Sequence, residues 1–248
     1  MKNRVCVLGA LVCLISLAWV WAQEEAPQDP PQKVEYKLSM IAVGERSDAY
    51  WEGDDEEMQV HARRPEAALP SALSLMAGSS SQDVKLRLNV PSPRYVFTSS
   101  AFRLMKGKTE TYTSVRMPEK GGAYSLFLTQ NEEKKSWMAP SLFIVPDGLD
   151  VFPSGSLRVV NVSTLPLEIH LGDELVKTLE PQSWHVLQGV LDEEKVKTLA
   201  LWYTHEERRR PAFRRQLAGM AGKRMNISCS VSRREGRPVA SQFFENIR

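Results

Sequence analysis

The stretch VKLRLNV, Val84 to Val90, alternates apolar and polar residues without a break. Side chains two apart lie on one face of an extended strand, so such a segment turns one set of residues to a core and the other away from it. The same two-residue rhythm runs through all or part of VEYKLSMIAV (34–43), AYSLFLTQ (123–130), SLFIVP (141–146), LRVVNV (157–162), LEIHL (167–171), LVKTL (175–179), WHVLQ (184–188), VKTLALWYT (196–204) and MNISCSV (225–231). Many short runs of this kind, punctuated by Gly, Pro, Asn and Asp, predict antiparallel sheets. Helical signals are few: RPEAALPSALSLMAG, from Arg64 to Gly78, is interrupted by Pro70, which leaves room for a single turn. A helical start at Asp192 competes with the strand pattern from Thr198 to Tyr203. The chain is therefore expected to be all-β.

Ahead of these runs stands MKNRVCVLGALVCLISLAWVWAQEE, with Lys2 and Arg4 preceding an apolar run from Val5 to Ala22. This is the pattern of a secretory signal peptide over residues 1–22, cut after Ala22; left uncut, the same run would be a membrane anchor. Gln23 to Lys33, rich in Pro, Gln and acid, is expected to be a flexible linker. Cleavage removes Cys6 and Cys13, so the exported chain keeps Cys229 alone and has no intramolecular disulfide. A secreted chain without paired cysteines points to a bacterial route, periplasmic or extracellular, and demotes the sequons at Asn161 and Asn226 to ordinary polar positions.

Hydrophobic residues make up 42% of the chain, enough for packed cores. VPDGLDVFPSGS, Val145 to Ser156, gathers Pro, Gly and Asp between two sets of strands, which places a boundary there. A faint repeat spans it: YKLSMIAV and GGAYSLFLTQNEEK in the first half correspond to SLRVVNV and GKRMNISCSVSRRE in the second. The offset matches the length of an immunoglobulin-like domain. The expected architecture is two tandem immunoglobulin-like antiparallel β-sandwich domains, 34–147 and 148–248. Leu157 to Leu187, with turns at STLP, GDE and EPQS, reads as a β-meander.

FPSGSLRVVNVSTLPLEIHLGDELVKTLEP, together with SWMAPSLFIVPD before it, resembles uncharacterised secreted β-sandwich proteins of planctomycete and verrucomicrobial bacteria. The resemblance is clearest from Tyr124 to Leu187. It implies export and a sandwich fold; the group has no established activity, so no site residue is carried over from it.

Motifs for catalysis are missing. HEERR at His205 lacks the second His of a metalloprotease helix, and no Gly-x-Ser-x-Gly, Walker loop or dinucleotide fingerprint occurs. Cys229 is followed by no His, which excludes a cupredoxin-type copper site, and its strand parity with Ile227 and Val231 predicts a buried thiol. His170 and His185 are expected to be ordinary sheet histidines, and the acid run Glu52 to Met58 a solvated loop without the spacing of a calcium loop. No catalytic residue, metal ligand or cofactor is expected, and the chain reads as a non-enzyme.

The formal charge of +2 is carried by Lys2 and Arg4, so the exported chain is close to neutral. It is also polarised: Gln23 to Val60 holds eleven acidic and three basic residues, His205 to Arg248 eleven basic and four acidic. RRRPAFRR makes Arg208, Arg209, Arg210, Arg214 and Arg215 the candidate binding residues, on a hairpin loop with Pro211 at its tip. Clustered arginine suits an anionic glycan, a phosphate-rich lipid surface or nucleic acid. The acidic N-terminal quarter could instead pair with it internally, and like-charge runs are commonly solvated faces. The function expected is that of an exported structural or interaction protein of the bacterial envelope, meeting a protein or an anionic envelope or glycan surface. Nucleic acid is not the expected partner, and membrane contact is expected only if the N-terminal run stays uncut. The alternative is a carbohydrate-binding module for acidic polysaccharide, with Trp137, Trp184 and Trp202 stacking on sugar.

Overall fold

The protein is seen in a computed structural model that describes residues 34–45, 50–52, 59–61, 68–70, 72–131, 136–192, 196–217, 219–220, 222–232 and 237–247. The expected signal and linker fall outside the described residues, as does the acid run beyond Glu52. Every regular element described is a strand. The first half contains β1 (Tyr36–Val43), β2 (Tyr50–Glu52), β3 (Gln59–His61), β4 (Leu73–Ala77), β5 (Ser80–Val84), β6 (Tyr95–Phe97), β7 (Ala101–Lys106), β8 (Glu110–Arg116), β9 (Gly122–Asn131) and β10 (Ser136–Pro146). The second contains β11 (Leu157–Val162), β12 (Leu167–Leu171), β13 (Glu174–Leu179), β14 (Ser183–Leu187), β15 (Lys197–His205), β16 (Arg208–Leu217), β17 (Lys223–Val231) and β18 (Pro238–Asn246).

Two sandwiches result. The first stacks sheet β10-β9-β1-β6 on sheet β5-β4-β7-β8, with β2 and β3 a separate hairpin; the second stacks β14-β11-β17-β18 on β13-β12-β15-β16. The two halves share one topology. β1 runs parallel to β9 and antiparallel to β6, and β11 runs parallel to β17 and antiparallel to β14. The segments that repeat in sequence are thus the two members of each parallel pair. The order β5-β4-β7-β8 is that of the C′, C, F and G strands of an immunoglobulin variable domain, with β1 and β6 paired as B and E are. The other neighbour of β1 comes from the end of the sandwich and runs parallel to it, in place of an initial A strand.

Each sandwich has its own core, centred on Leu38, Met40, Leu75, Leu104 and Leu126 in the first and on Val159, Ile169, Leu201, Met225 and Ile227 in the second. Alternation along β1 turns Tyr36, Leu38, Met40 and Ala42 into the first core and Ile41 and Val43 out of it. Those outward residues are covered as well. Ile41, Val43, Phe127 and Val145 pack against Val160, Val162 and Phe243, with Phe143 and Trp184 at the margin. Sheets β10-β9-β1-β6 and β14-β11-β17-β18 therefore lie back to back, and the molecule from Val34 onward is a four-layer stack forming one compact unit.

This stacking explains why β11 is buried at every position and β17 at nearly every one. It also buries polar groups. On the β17 face turned to the other sandwich, Asn226 Nδ2, Ser228 Oγ and Ser230 Oγ have no protein hydrogen-bond partner. Asn161 and Asn226 are both fully buried, the first donating to Leu165 and Leu179 carbonyls, so the folded protein exposes neither sequon asparagine.

Three expectations change. Leu157 to Leu187 is no meander: β11 and β14 pair with each other in one sheet while the hairpin β12-β13 between them belongs to the other, so the chain crosses twice between layers. Turn residues mark a reversal, and the next strand can pair beside the last or step across the sandwich. VKLRLNV is a strand only as far as Val84; from Arg87 the chain makes isolated bridges, and Asn89, at φ 59, clasps Gly44 through its side chain. Its alternation still buries Leu86. The segment from Leu73 to Ala77 is strand β4.

Candidate functional site: the β16 edge and the junction between sandwiches

The five candidate arginines lie on strand β16 and not on a loop. The reversal is made instead by Glu206 and Glu207, both with positive φ (49° and 60°), a two-residue turn whose twist suits a hairpin. Pro211 sits where the pairing slips: Trp202 faces Pro211 while Leu201 faces Phe213, leaving Ala212 as the bulged residue. β16 is the outer strand of its sheet, the place where a proline without an N–H is tolerated. Arginines, Pro and bulge together make a poor template for another strand, so contacts here run through side chains.

The structure divides the five. Arg215 donates to Gln242 Oε1 at 2.5 Å and lies 5.4 Å from the Phe244 ring, bridging the edge strands of the two sheets. Arg209 is stacked over Trp202 at 4.8 Å and donates to Glu168 Oε2 at 2.6 Å. Its Nη2 is also 2.7 Å from His170 Nε2, which is 3.1 Å from the same carboxylate. A guanidinium can only donate, so His170 accepts from Arg209 when its Nε2 is bare and donates to Glu168 when Nε2 carries a proton. The Glu168 carboxyl is held below its usual range, first by His170 and then by Arg209, with partial burial opposing. By contrast Arg208, Arg210 and Arg214 have no ion pair or side-chain hydrogen bond among the described residues. Arg208 and Arg214 are exposed and Arg210 is half-buried.

Tryptophans do not form a row. Trp137 is buried in the first core, Trp184 packs at the margin of the inter-sandwich contact, and Trp202 is half-buried beneath Arg209. Stacking of all three on one sugar chain is therefore ruled out, because alternation assigned two of them to packed faces. His170 and His185 lie in different sheets, on β12 and β14. Cys229 is fully buried in the second core and burial pushes its thiol up to about 12. Folded protein is expected to resist alkylation of Cys229 at pH 8 and to react once unfolded, as mass spectrometry after iodoacetamide treatment will show. The free thiol ionises near 9 when exposed, so this group favours the fold below that pH and its contribution falls away as pH rises toward 12.

A second cluster escaped the sequence reading. At the junction of the sandwiches Asp147 Oδ1 accepts from Arg158 at 3.0 Å, and Asp147 Oδ2 from Arg224 at 2.9 Å and Arg94 at 3.1 Å. Arg158 and Arg224 flank the Phe152 ring, 4.5 and 4.6 Å from its centroid. Arg158 also donates to the Pro146 carbonyl and Asn226 Oδ1, and Arg224 to the Phe152 carbonyl and Glu245. Burial pushes the Arg158 guanidinium down to about 10, opposed by Asp147, so it stays charged at neutral pH. The available signal was an arginine inside an otherwise oily strand, LRVVNV, with VPDG eleven residues before it. This constellation holds the two sandwiches together; it presents no nucleophile, and Arg158 and Arg224 are sealed from solvent while Arg94 caps the cluster from the surface.

No family model matches the chain, and no curated protein matches it. Among solved structures the chain is similar to one from Bacteroides fragilis described as a "putative cell adhesion protein", at 11% identity over 86% of this chain and 98% of that one. The TM-score is 0.21, too low for the likeness to bear on fold or role.

Proposed function

We propose that the protein is an exported, non-enzymatic interaction protein of the bacterial envelope that meets an anionic surface through the side chains of β16. The carrying observation is the division among its arginines: Arg209 and Arg215 are engaged internally, whereas Arg208, Arg210 and Arg214 are left with uncompensated charge on one edge strand. An edge blunted by Pro211 and a bulge favours electrostatic recognition over strand addition. Its placement in the envelope rests on the signal-like residues 1–22 and on the resemblance to secreted planctomycete and verrucomicrobial sandwich proteins.

The test is retention on a heparin-type resin. The wild-type chain should be held at low salt and released as salt rises, since exposed charges are screened over about 10 Å at 0.1 M. Replacing Arg208, Arg210 and Arg214 together by Gln should abolish retention without changing the melting temperature. Absence of retention at low salt, or retention insensitive to salt, would remove the proposal.

A further inference from the structure

At the opposite end of β11 from Arg158 the two sandwiches part to leave a cleft of about 430 Å³. Its walls come from both halves: Thr129, Ser141 and Phe143 from β9 and β10, Thr164 from the crossing after β11, and Gln182 from the crossing before β14. Among the described residues the lining contains no charged group. Hydroxyls and carboxamides supply both donors and acceptors, beside the half-buried Phe143 ring. Such a mixture suits a ligand that is itself rich in hydroxyls, carries no charge and has one apolar face.

Gln182 has φ 52, the left-handed region that favours glycine, yet it is a glutamine whose exposed side chain borders the cleft. The Pro181-Gln182 turn accounts for that φ, as the hairpin turn does at Glu206 and Glu207, and it sets the Gln182 side chain at the rim of the cleft. The floor beneath is rigid: Asn161 Oδ1 accepts from both the backbone N–H and the hydroxyl of Ser163, which keeps the loop carrying Thr164 in place.

We propose that this inter-sandwich cleft binds a neutral saccharide of about one to two residues, held by Gln182, Thr164, Thr129 and Ser141 and packed on Phe143. A ligand there touches both sandwiches. The site is separate from the β16 edge and does not depend on it.

Calorimetric titration of the full-length protein with maltose, cellobiose, lactose and mannobiose tests the proposal. At least one should bind in the millimolar range or tighter. Gln182→Gly should weaken that binding tenfold or more while raising the melting temperature, because glycine relaxes the backbone and removes the carboxamide. Thr164→Val should weaken it as well, and the β16 arginine variant should leave it unchanged. Heat from none of the four sugars overturns the proposal; so does binding that Gln182→Gly and Thr164→Val both leave intact, or tighter binding of a uronate-containing disaccharide than of its neutral counterpart.

Discussion

Asp147→Ala is expected to lower the unfolding free energy by about 3–5 kcal/mol, read from the midpoint and slope of a urea titration. The carboxylate is nearly sealed from solvent and lies between two guanidiniums that are fully so. Removing it leaves Arg158 without a carboxylate and Arg224 with Glu245 alone. An unpaired buried charge is far costlier than a missing pair. For that reason Arg158→Met combined with Arg224→Met and Asp147→Leu should recover much of the loss. A cost below about 1 kcal/mol for Asp147→Ala would show that the arginines are solvated and that the clasp does not brace the junction.

Phe127→Ala should cost a similar amount, about 3–5 kcal/mol for a large aromatic side chain removed from a packed site. What distinguishes it is where the cavity opens. Phe127 is fully buried between the sandwiches and belongs to neither separate core, so the variant weakens their coupling and leaves each core intact. One urea transition is expected to separate into two. Leu75→Ala, in the first core, provides the comparison: about 2–5 kcal/mol of destabilisation with the coupling preserved. A single transition in Phe127→Ala would mean that the remaining apolar contacts, with the polar clasp, suffice to couple the halves.

How far the sequence could be read depended on whether a strand shows the same signal from both faces. In β15, Leu199, Leu201 and Tyr203 alternate with more polar or exposed positions, and the strand stands where expected. β9, β11 and β17 were also visible, being rich in apolar residues. The strands that escaped notice, among them β7, β8, β16 and β18, are edge strands or carry charged and small residues on one face, which blurs the rhythm. β16 is the clearest case. Arg208 to Arg215 looks like a polar loop around a proline, because only pairing with β15 and the bulge at Ala212 make that composition a strand. Of the five arginines named from sequence, all lie together on that strand, but two are occupied by Glu168 and Gln242, residues 41 and 27 positions away. The cleft beside Gln182 had no signature beyond a Pro-Gln turn.

Local alternation was enough to predict the all-β fold that the described residues show, and the turn cluster from Val145 to Ser156 with the faint repeat across it was enough to predict two sandwiches, since side-chain parity and turn chemistry are properties of a few neighbouring residues. It says which side chains share a face and nothing about what that face meets. That Ile41, Phe127 and Val160 meet across the sandwiches, that Arg158 and Arg224 close on Asp147, and that Arg208, Arg210 and Arg214 are left unpaired were decided by tertiary packing alone. Those contacts join residues dozens of positions apart, and their energies come from burial and desolvation that exist only once the layers have stacked.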